Sequence, residues 1–311
     1  MNPKVNIWLR AIRFRFLAAS ALSVTCGIAL TVWNNYLEFS VINAILVYAG
    51  IFCLHCSVDL LNDYSDFKRG IDLRTSRTKF SGGTGVLPEG LLTPKAVYRA
   101  AVIFLIIGLG IGGFFVITKG FIIGIILTFA ALSILLYSTK LVNIGLGEVF
   151  VGIKGTLVVI GTYFVQTSTI TVESVALGVL AGMLSSLVLY VNSIPDIRAD
   201  KEGGRRTLAI LLEARSNRVN YGFLIGLFLG IYVLSLVFFA IIIPSIISAL
   251  VCFVMIPLTL TIVSDYHKFI YRFNTTNLEE FEKIMNKTVL FSRTFGLLLI
   301  AGVLIATFFR P

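Results

Sequence analysis

Long apolar runs dominate the hydropathy pattern of this 311-residue chain, and short polar segments separate them. The hydrocarbon core of a bilayer is about 30 Å thick, which about 20 helical residues span. Nine runs have about that length, at roughly 16–36, 41–61, 97–117, 120–138, 146–166, 173–193, 220–242, 244–264 and 290–309. The pattern predicts an all-α, multi-pass membrane helical bundle of about nine transmembrane helices.

The composition agrees with this fold class, since 57% of the residues are hydrophobic and 14% are charged. Lys and Arg cluster before the first span and after the second, sixth and eighth spans, whereas the opposite side holds Lys119 and Arg310. Because positively charged loops stay on the cytoplasmic side, the N-terminus is predicted inside and the C-terminus outside. We expect one integral domain of the cell membrane, residues 1–311, with cytoplasmic loops at 62–96 and 194–219.

Two acidic motifs each follow the end of an apolar run. The first consists of Asn62, Asp63, Asp66 and Asp72, and the second of Asn192, Asp196 and Asp200. The helical repeat places most of the first motif on one helix face, and the four-residue spacing of the second predicts one face of another helix. Membrane proteins rarely place carboxylates near lipid without a use, so both motifs are candidate functional sites facing the cytoplasm.

If the two acidic faces meet, they form an oxygen-rich site for a hard divalent cation. Mg²⁺ is typically held by one or two carboxylates together with substrate phosphates, and it neutralises the charge that develops on a leaving diphosphate. Basic side chains that follow the motifs would stabilise that charge further: Lys68, Arg77, Lys79, Arg198 and Lys201. At the mouth of an apolar bundle, this chemistry predicts a prenyl diphosphate as substrate.

The residue patterns of the two motifs support this interpretation. Residues 62–72 read NDxxDxxxGxD with SGGTGVLPEGLLTP after them, and residues 192–200 read NxxxDxxxD with EGGRRTLA after them. Over nearly the whole chain, the sequence resembles the UbiA superfamily of intramembrane prenyltransferases. Residues 145–152 and 161–166 are most similar to its MenA-like branch, which prenylates 1,4-dihydroxy-2-naphthoate in menaquinone biosynthesis.

The resemblance implies prenyl transfer that depends on Mg²⁺, with two ions bridging the diphosphate. It assigns the metal to Asn62, Asp63, Asp66, Asp196 and Asp200. It implies diphosphate contacts for Asn62, for Asp72 and for Arg13 in the N-terminal segment, and Asn192 beside the second cluster is a further candidate contact.

The family's Tyr-to-Lys segment near the reacting carbon is similar to Tyr137–Lys140. Tyr137 is expected to stabilise the allylic cation through its ring face. Lys140 is expected to support the leaving group together with Arg13, Arg77 and Lys79. The predicted catalytic residues are therefore Asp63, Asp66, Asp196, Asp200, Tyr137 and Lys140.

Other functions fit parts of the sequence. A cation-coupled transporter also places carboxylates at helix breaks, and Pro195 precedes Asp196, but transporter sites lie near the midplane whereas both motifs end their spans. Within prenyl transfer, the acceptor is an aromatic quinone precursor or another lipophilic molecule such as a glycerol-phosphate lipid. The net charge of +10 fits membrane topology and anionic headgroups, and the chain lacks a module typical of nucleic-acid binding.

A few charged residues lie inside the predicted spans. His55 and Asp59 are one helical turn apart in the second span, and Glu148 and Lys154 are about two turns apart in the fifth. Internal pairing explains each set. Alternatively, Asp59 supports the first metal cluster from behind its ligands, with His55 further back.

Overall fold

A computed structural model describes residues 3–35, 39–75, 77–137, 145–272 and 278–308. Regular secondary structure within these ranges is helical throughout, which confirms the predicted all-α class. In chain order the helices are α1 (Pro3–Ala11), α2 (Leu17–Asn35), α3 (Val41–Lys68), α4 (Pro94–Lys119), α5 (Phe121–Tyr137), α6 (Gly147–Thr167), α7 (Val172–Ser193), α8 (Ile197–Glu202), α9 (Leu208–Glu213), α10 (Asn217–Val237), α11 (Ile246–Phe253), α12 (Ile256–Arg272) and α13 (Leu278–Phe308).

Eight helical segments of the described chain are long and apolar enough to cross a bilayer, which confirms a multi-pass bundle. They are α2, α3, α4, α6, α7, α10 with the π-turn after it, α11 continued by α12, and α13. The predicted span at 120–138 corresponds to α5, an apolar helix of 17 residues that is about 25 Å long at 1.5 Å per residue.

Helix α3 carries the first acidic motif beyond its apolar part. The side chain of Ser40 accepts a hydrogen bond from the Asn43 backbone N–H at 3.3 Å, which caps the start of the helix. The helix then continues for 28 residues, to Lys68. Because it passes the predicted end of the span by two turns, Asp59, Asp63 and Asp66 remain on a helix, as the spacing predicted.

Small residues set the closest helix contact of the bundle. Gly152 and Gly155 of α6 face Gly182 of α7, Gly178 of α7 faces Thr156, and a Cβ atom added at Gly155 would lie 2.9 Å from the Gly182 Cα atom. Such close backbone approach is typical of membrane helices, in which dispersion contacts replace the hydrophobic driving force. Helices α4 and α5, by contrast, present large exposed apolar side chains outward, as lipid-facing helices do.

The second motif differs from the prediction. Helix α7 ends at Ser193, residues 194–196 form a turn, and α8 begins at Ile197. Asn192 and Asp200 therefore lie on different helices, and the prediction that the whole motif shares one helix face is wrong. Pro195 is the physical reason, because it lacks an N–H donor and its ring clashes with the preceding turn. The segment 194–219, predicted as a loop, also contains α8 and α9.

Candidate active site

The first motif lies on the last two turns of α3. The Asn62 side-chain amide donates a hydrogen bond to Asp66 at 3.1 Å. The Asp63 carboxylate is 2.6 Å from the Arg13 guanidinium, and it accepts hydrogen bonds from the backbone N–H of Thr84 at 3.3 Å and from the Thr84 hydroxyl. Asp63 is thus buried and fully surrounded by donors, as a buried charge requires.

Helix α3 ends in a Schellman motif that positions Asp72. Gly70 adopts a left-handed conformation with φ +71°. The Gly70 N–H donates to the Phe67 carbonyl at 3.0 Å and the Ile71 N–H to the Asp66 carbonyl at 2.9 Å, which is the hydrogen-bond pattern of that motif. The chain turns back on itself, so Asp72 lies beside the helix end and is buried.

Arg13 reaches the site from the N-terminal segment. It connects α1 to the 3₁₀ turn Phe14–Phe16 and has the left-handed backbone angles φ 47° and ψ 48°. Non-glycine residues in this region cost energy and concentrate at functional sites. The predicted role of Arg13 in the site therefore has a structural counterpart in its contact with Asp63.

A glycine-rich loop joins the two motifs. The Gly82 N–H donates to Asp196 at 3.0 Å, while Thr84 binds Asp63 as described above. Gly83 has φ +71°, and a Cβ atom there would lie 2.5 Å from an Asp72 carboxylate oxygen. Only a glycine therefore lets the loop backbone approach Asp72 this closely.

Arg205 links the motifs a second time, and the sequence analysis did not select it. Its guanidinium contacts the Asp66 carboxylate and lies 3.1 Å from Asp200, and its side chain is 10% exposed. Helix α8 ends in another Schellman motif, in which the Gly204 N–H donates to the Lys201 carbonyl and the Arg205 N–H to the Asp200 carbonyl. The sequence feature that could have selected Arg205 is the glycine pair at 203–204 directly before it.

These contacts enclose one cavity of about 120 Å³. Side chains from both motifs line it together with Arg13, Arg205 and the buried Glu148 of α6, which the sequence analysis left outside the site. Among the described residues, one oxygen each of Asn192, Asp196 and Glu148 is buried without a hydrogen-bond partner. Buried oxygens without donors indicate a place for a cationic or hydrogen-bonding ligand.

Acidic side chains outnumber basic ones in the lining of the cavity. Burial raises the pKa of Asp72 to about 8, and repulsion from Asp66 and Asp63 adds to the rise. Burial and the neighbouring Asp200 carboxylate raise the pKa of Asp196 to about 7. Carboxyl groups with raised pKa values in one cavity are typical of a site whose charge is completed by a bound cation.

The donor set fits Mg²⁺ by its chemistry, because it consists of carboxylate and amide oxygens. No three Asp, Glu, His or Cys side chains converge as a ready metal cluster in the described part of the chain. Arg13 and Arg205 instead provide the counter-charge for Asp63, Asp66 and Asp200.

Several predicted contacts lie outside this cavity. Arg77 lies 2.7 Å from Glu89 and Lys79 lies 3.5 Å from Glu282; both line a neighbouring cavity of about 510 Å³. The remaining predicted diphosphate contacts form local pairs: Lys68 with the Tyr64 ring, Arg198 with Glu202 and Lys201 with Glu213. The Tyr137 side chain and Lys140 lie outside the described residues.

The eight apolar helical segments and the acidic cavity define an integral-membrane helical protein with a candidate active site. Comparison with known proteins identifies the family. The model of the UbiA prenyltransferase family matches residues 20–277, so the chain belongs to that family. A curated relative, the 1,4-dihydroxy-2-naphthoate octaprenyltransferase of Haemophilus influenzae, is 26% identical over 236 residues, covering 73% of this chain and 75% of the relative.

Solved structures share the fold. A UbiA homolog from Aeropyrum pernix K1 has a TM-score of 0.68 at 14% identity, covering 94% of this chain and 98% of the other. A UbiA homolog from Archaeoglobus fulgidus bound to GPP and Mg²⁺ has a TM-score of 0.57 at 14% identity, covering 95% and 99%. The predicted family and its MenA-like branch are confirmed, and the protein is an integral-membrane prenyltransferase.

Proposed function

We propose that this enzyme transfers the prenyl group of a prenyl diphosphate to an aromatic quinone precursor of the dihydroxynaphthoate type, with Mg²⁺, at the cytoplasmic face of the membrane. The observation that carries the proposal is the meeting of both acidic motifs, Arg13 and Arg205 around one buried cavity. The name of the Haemophilus influenzae relative supports the acceptor, and the GPP and Mg²⁺ bound to the Archaeoglobus fulgidus homolog support the donor and the metal.

The residues that would hold Mg²⁺ are Asn62, Asp63, Asp66, Asp196 and Asp200, with Asp72 beside them. Bound there, Mg²⁺ would neutralise the diphosphate so that it leaves more readily. Two ions bridging the diphosphate remain our prediction.

The arginines of the cavity suit a diphosphate because guanidinium groups bind such oxyanions in a bidentate manner. Arg13 Nε is buried without a hydrogen-bond partner among the described residues. Arg13 and Arg205 therefore supply donors on two sides of the cavity, and they would hold the leaving diphosphate while the allylic carbon points into the apolar bundle. The excess of Lys and Arg around both motifs supports the cytoplasmic orientation.

A prenyl-transfer assay in detergent tests this proposal. Geranylgeranyl diphosphate, 1,4-dihydroxy-2-naphthoate and Mg²⁺ are supplied to the wild type, to Asp66→Asn and to Asp196→Asn. Asp265→Asn is a matched control, because Asp265 pairs with Lys287 at 2.6 Å on α12 and does not line the cavity. We expect a prenylated product from the wild type and the control, lost when EDTA removes the metal.

Other outcomes revise the proposal in distinct ways. Product formed only with a glycerol-phosphate lipid would replace the acceptor and keep the donor. Failure of the wild type to bind the diphosphate with Mg²⁺ would overturn prenyl transfer at this cavity. Metal-dependent uptake into proteoliposomes without product would favour a transporter.

A further inference from the structure

A second polar cluster lies within the membrane-spanning part of the bundle, and the diphosphate chemistry does not use it. It combines Ser20 of α2, His55 and Asp59 of α3, and Lys154 of α6. The Ser20 hydroxyl lies 2.7 Å from His55 Nδ1, and His55 Nε2 lies 3.6 Å from Asp59 Oδ2. Asp59 and Lys154 interact electrostatically. The cluster therefore forms a chain of groups across three helices that pack against each other.

The depth of the cluster relates it to the cavity. Asp59 precedes the cavity residue Asn62 by three residues on α3, and Lys154 follows the cavity residue Glu148 by six residues on α6. At 1.5 Å per residue, Asp59 lies about 5 Å and Lys154 about 9 Å along the helix axes from these cavity residues, toward the middle of the bundle. An acceptor that reaches the allylic carbon from the interior of the bundle would lie on this side of the cavity.

Protein atoms do not fully enclose the cluster. The Asp59 side chain is 17% exposed and that of His55 is 10% exposed, and Lys154 is half-buried. Asp59 Oδ2, which faces His55, is buried and has no hydrogen-bond partner in the described chain. Ionisable groups at membrane depth are costly and mark functional sites more often than packing needs.

We propose that Asp59 is the general base that binds the hydroxyl of the aromatic acceptor and takes its proton. This inference rests on the proposed function. His55 and Ser20 are positioning residues: the Ser20 hydroxyl holds the His55 ring, whose Nε2 contacts Asp59 Oδ2 at 3.6 Å. Lys154, together with Arg13, supplies positive charge that favours the ionised carboxylate, against its burial and the charge of Asp63.

Proton transfer to Asp59 precedes prenyl transfer to the ring carbon. The acceptor O–H bond breaks as its proton passes to Asp59, and the electron pair that remains makes the ring carbon more nucleophilic. The ring carbon forms a bond to the allylic carbon, while the allylic C–O bond breaks and its electron pair goes to the diphosphate. The ring carbon then releases its own hydrogen as a proton to the diphosphate, and Asp59 returns the first proton to the acceptor oxygen.

Steady-state kinetics of Asp59→Asn with geranylgeranyl diphosphate and 1,4-dihydroxy-2-naphthoate test the inference. Losing a general base costs on the order of 10²–10⁴-fold in turnover. We expect kcat to fall by that factor, while Mg²⁺-dependent binding of the donor changes less than about twofold, because the diphosphate site is untouched. Asp59→Glu should restore part of the rate, and Asp265→Asn should match the wild type.

The double variant Asp59→Asn with Lys154→Gln separates this role from a structural ion pair. It leaves no unpaired charge in the membrane, so it keeps the inference testable even if Asp59→Asn alone does not fold. A base at Asp59 predicts a folded double variant that binds donor and stays inactive. Recovery of wild-type turnover in the double variant, or unchanged turnover in Asp59→Asn, would overturn the inference. An inactive wild type would instead refute the proposed function on which the inference rests.

Discussion

The same kind of helix-ending turn follows both acidic motifs, but the two turns bring side chains of opposite charge to the site. Each helix closes with a Schellman motif around a left-handed glycine, Gly70 after α3 and Gly204 after α8. The first turn leads to Asp72, a further carboxylate, whereas the second delivers Arg205, which contacts Asp66 of the other motif. The same type of turn thus brings a further carboxylate to the site after the first motif and a guanidinium after the second.

The motifs also differ in how completely they are paired. Asp63 of the first motif is held by Arg13 and Thr84. Asp196 of the second motif accepts a hydrogen bond from Gly82 through one oxygen, and its other oxygen is buried without a partner. Asp63 is therefore arranged before any ligand arrives, whereas Asp196 retains an open acceptor.

The largest effect is expected from neutralising one carboxylate in each motif. If the motifs serve one site, Asp66→Asn and Asp196→Asn should each lower turnover by at least about 10²-fold, because each removes charge that the leaving diphosphate needs to have balanced. Initial rates at saturating Mg²⁺ measure this. A large loss in one variant with normal turnover in the other would show that the motifs act separately.

The next largest effect is expected from Arg205→Met. Removing one partner of a buried pair costs about 3–5 kcal/mol, since the remaining carboxylates lose their counter-charge. We expect lower thermal stability in EDTA and a larger stabilisation by Mg²⁺ than in the wild type, because the cation can replace the guanidinium. Thermal unfolding in detergent, with and without Mg²⁺, measures both. Equal Mg²⁺ effects in the two proteins would contradict the role of Arg205 as counter-charge.

Gly83→Ala tests the close contact between the glycine-rich loop and Asp72 of the first motif. A left-handed backbone costs a non-glycine residue about 1–2 kcal/mol, and the new Cβ atom would also press on Asp72. Gly90→Ala is the matched control, because Gly90 has φ +67° and open space around it. We expect Gly83→Ala to weaken Mg²⁺-dependent diphosphate binding and Gly90→Ala to leave it unchanged. Equal binding by both variants would refute the importance of the contact with Asp72.

The smallest effect is expected from Arg198→Gln. The Arg198 side chain is 94% exposed and pairs with Glu202 at the surface, and such pairs contribute about 0–1 kcal/mol. Turnover and donor affinity should stay within about twofold of the wild type. A larger loss of affinity would bring Arg198 back among the diphosphate contacts.

The sequence predicted what depends on local periodicity. The apolar runs gave the bundle, and the first motif lies on one helix face because α3 continues unbroken to Lys68. The second motif did not follow its four-residue spacing, since Pro195 ends the helix that the spacing requires.

The spacing of residues along the sequence did not predict which distant side chains pair with each other. Arg205 is one of many basic residues near the motifs, and only the turn at Gly204 selects it for the cavity. Arg77 was expected at the diphosphate, but Glu89, twelve residues further along the chain, holds it at the neighbouring cavity.

Calorimetric titration of geranylgeranyl diphosphate with Mg²⁺ into the wild type, Asp66→Asn, Asp196→Asn and the double variant tests the central claim most directly. If both motifs form one site, each single variant loses most of the affinity and the double variant loses little more, because coupled residues are not additive. Losses that add across the two variants, or binding that survives in the double variant, would contradict a single site built from both motifs.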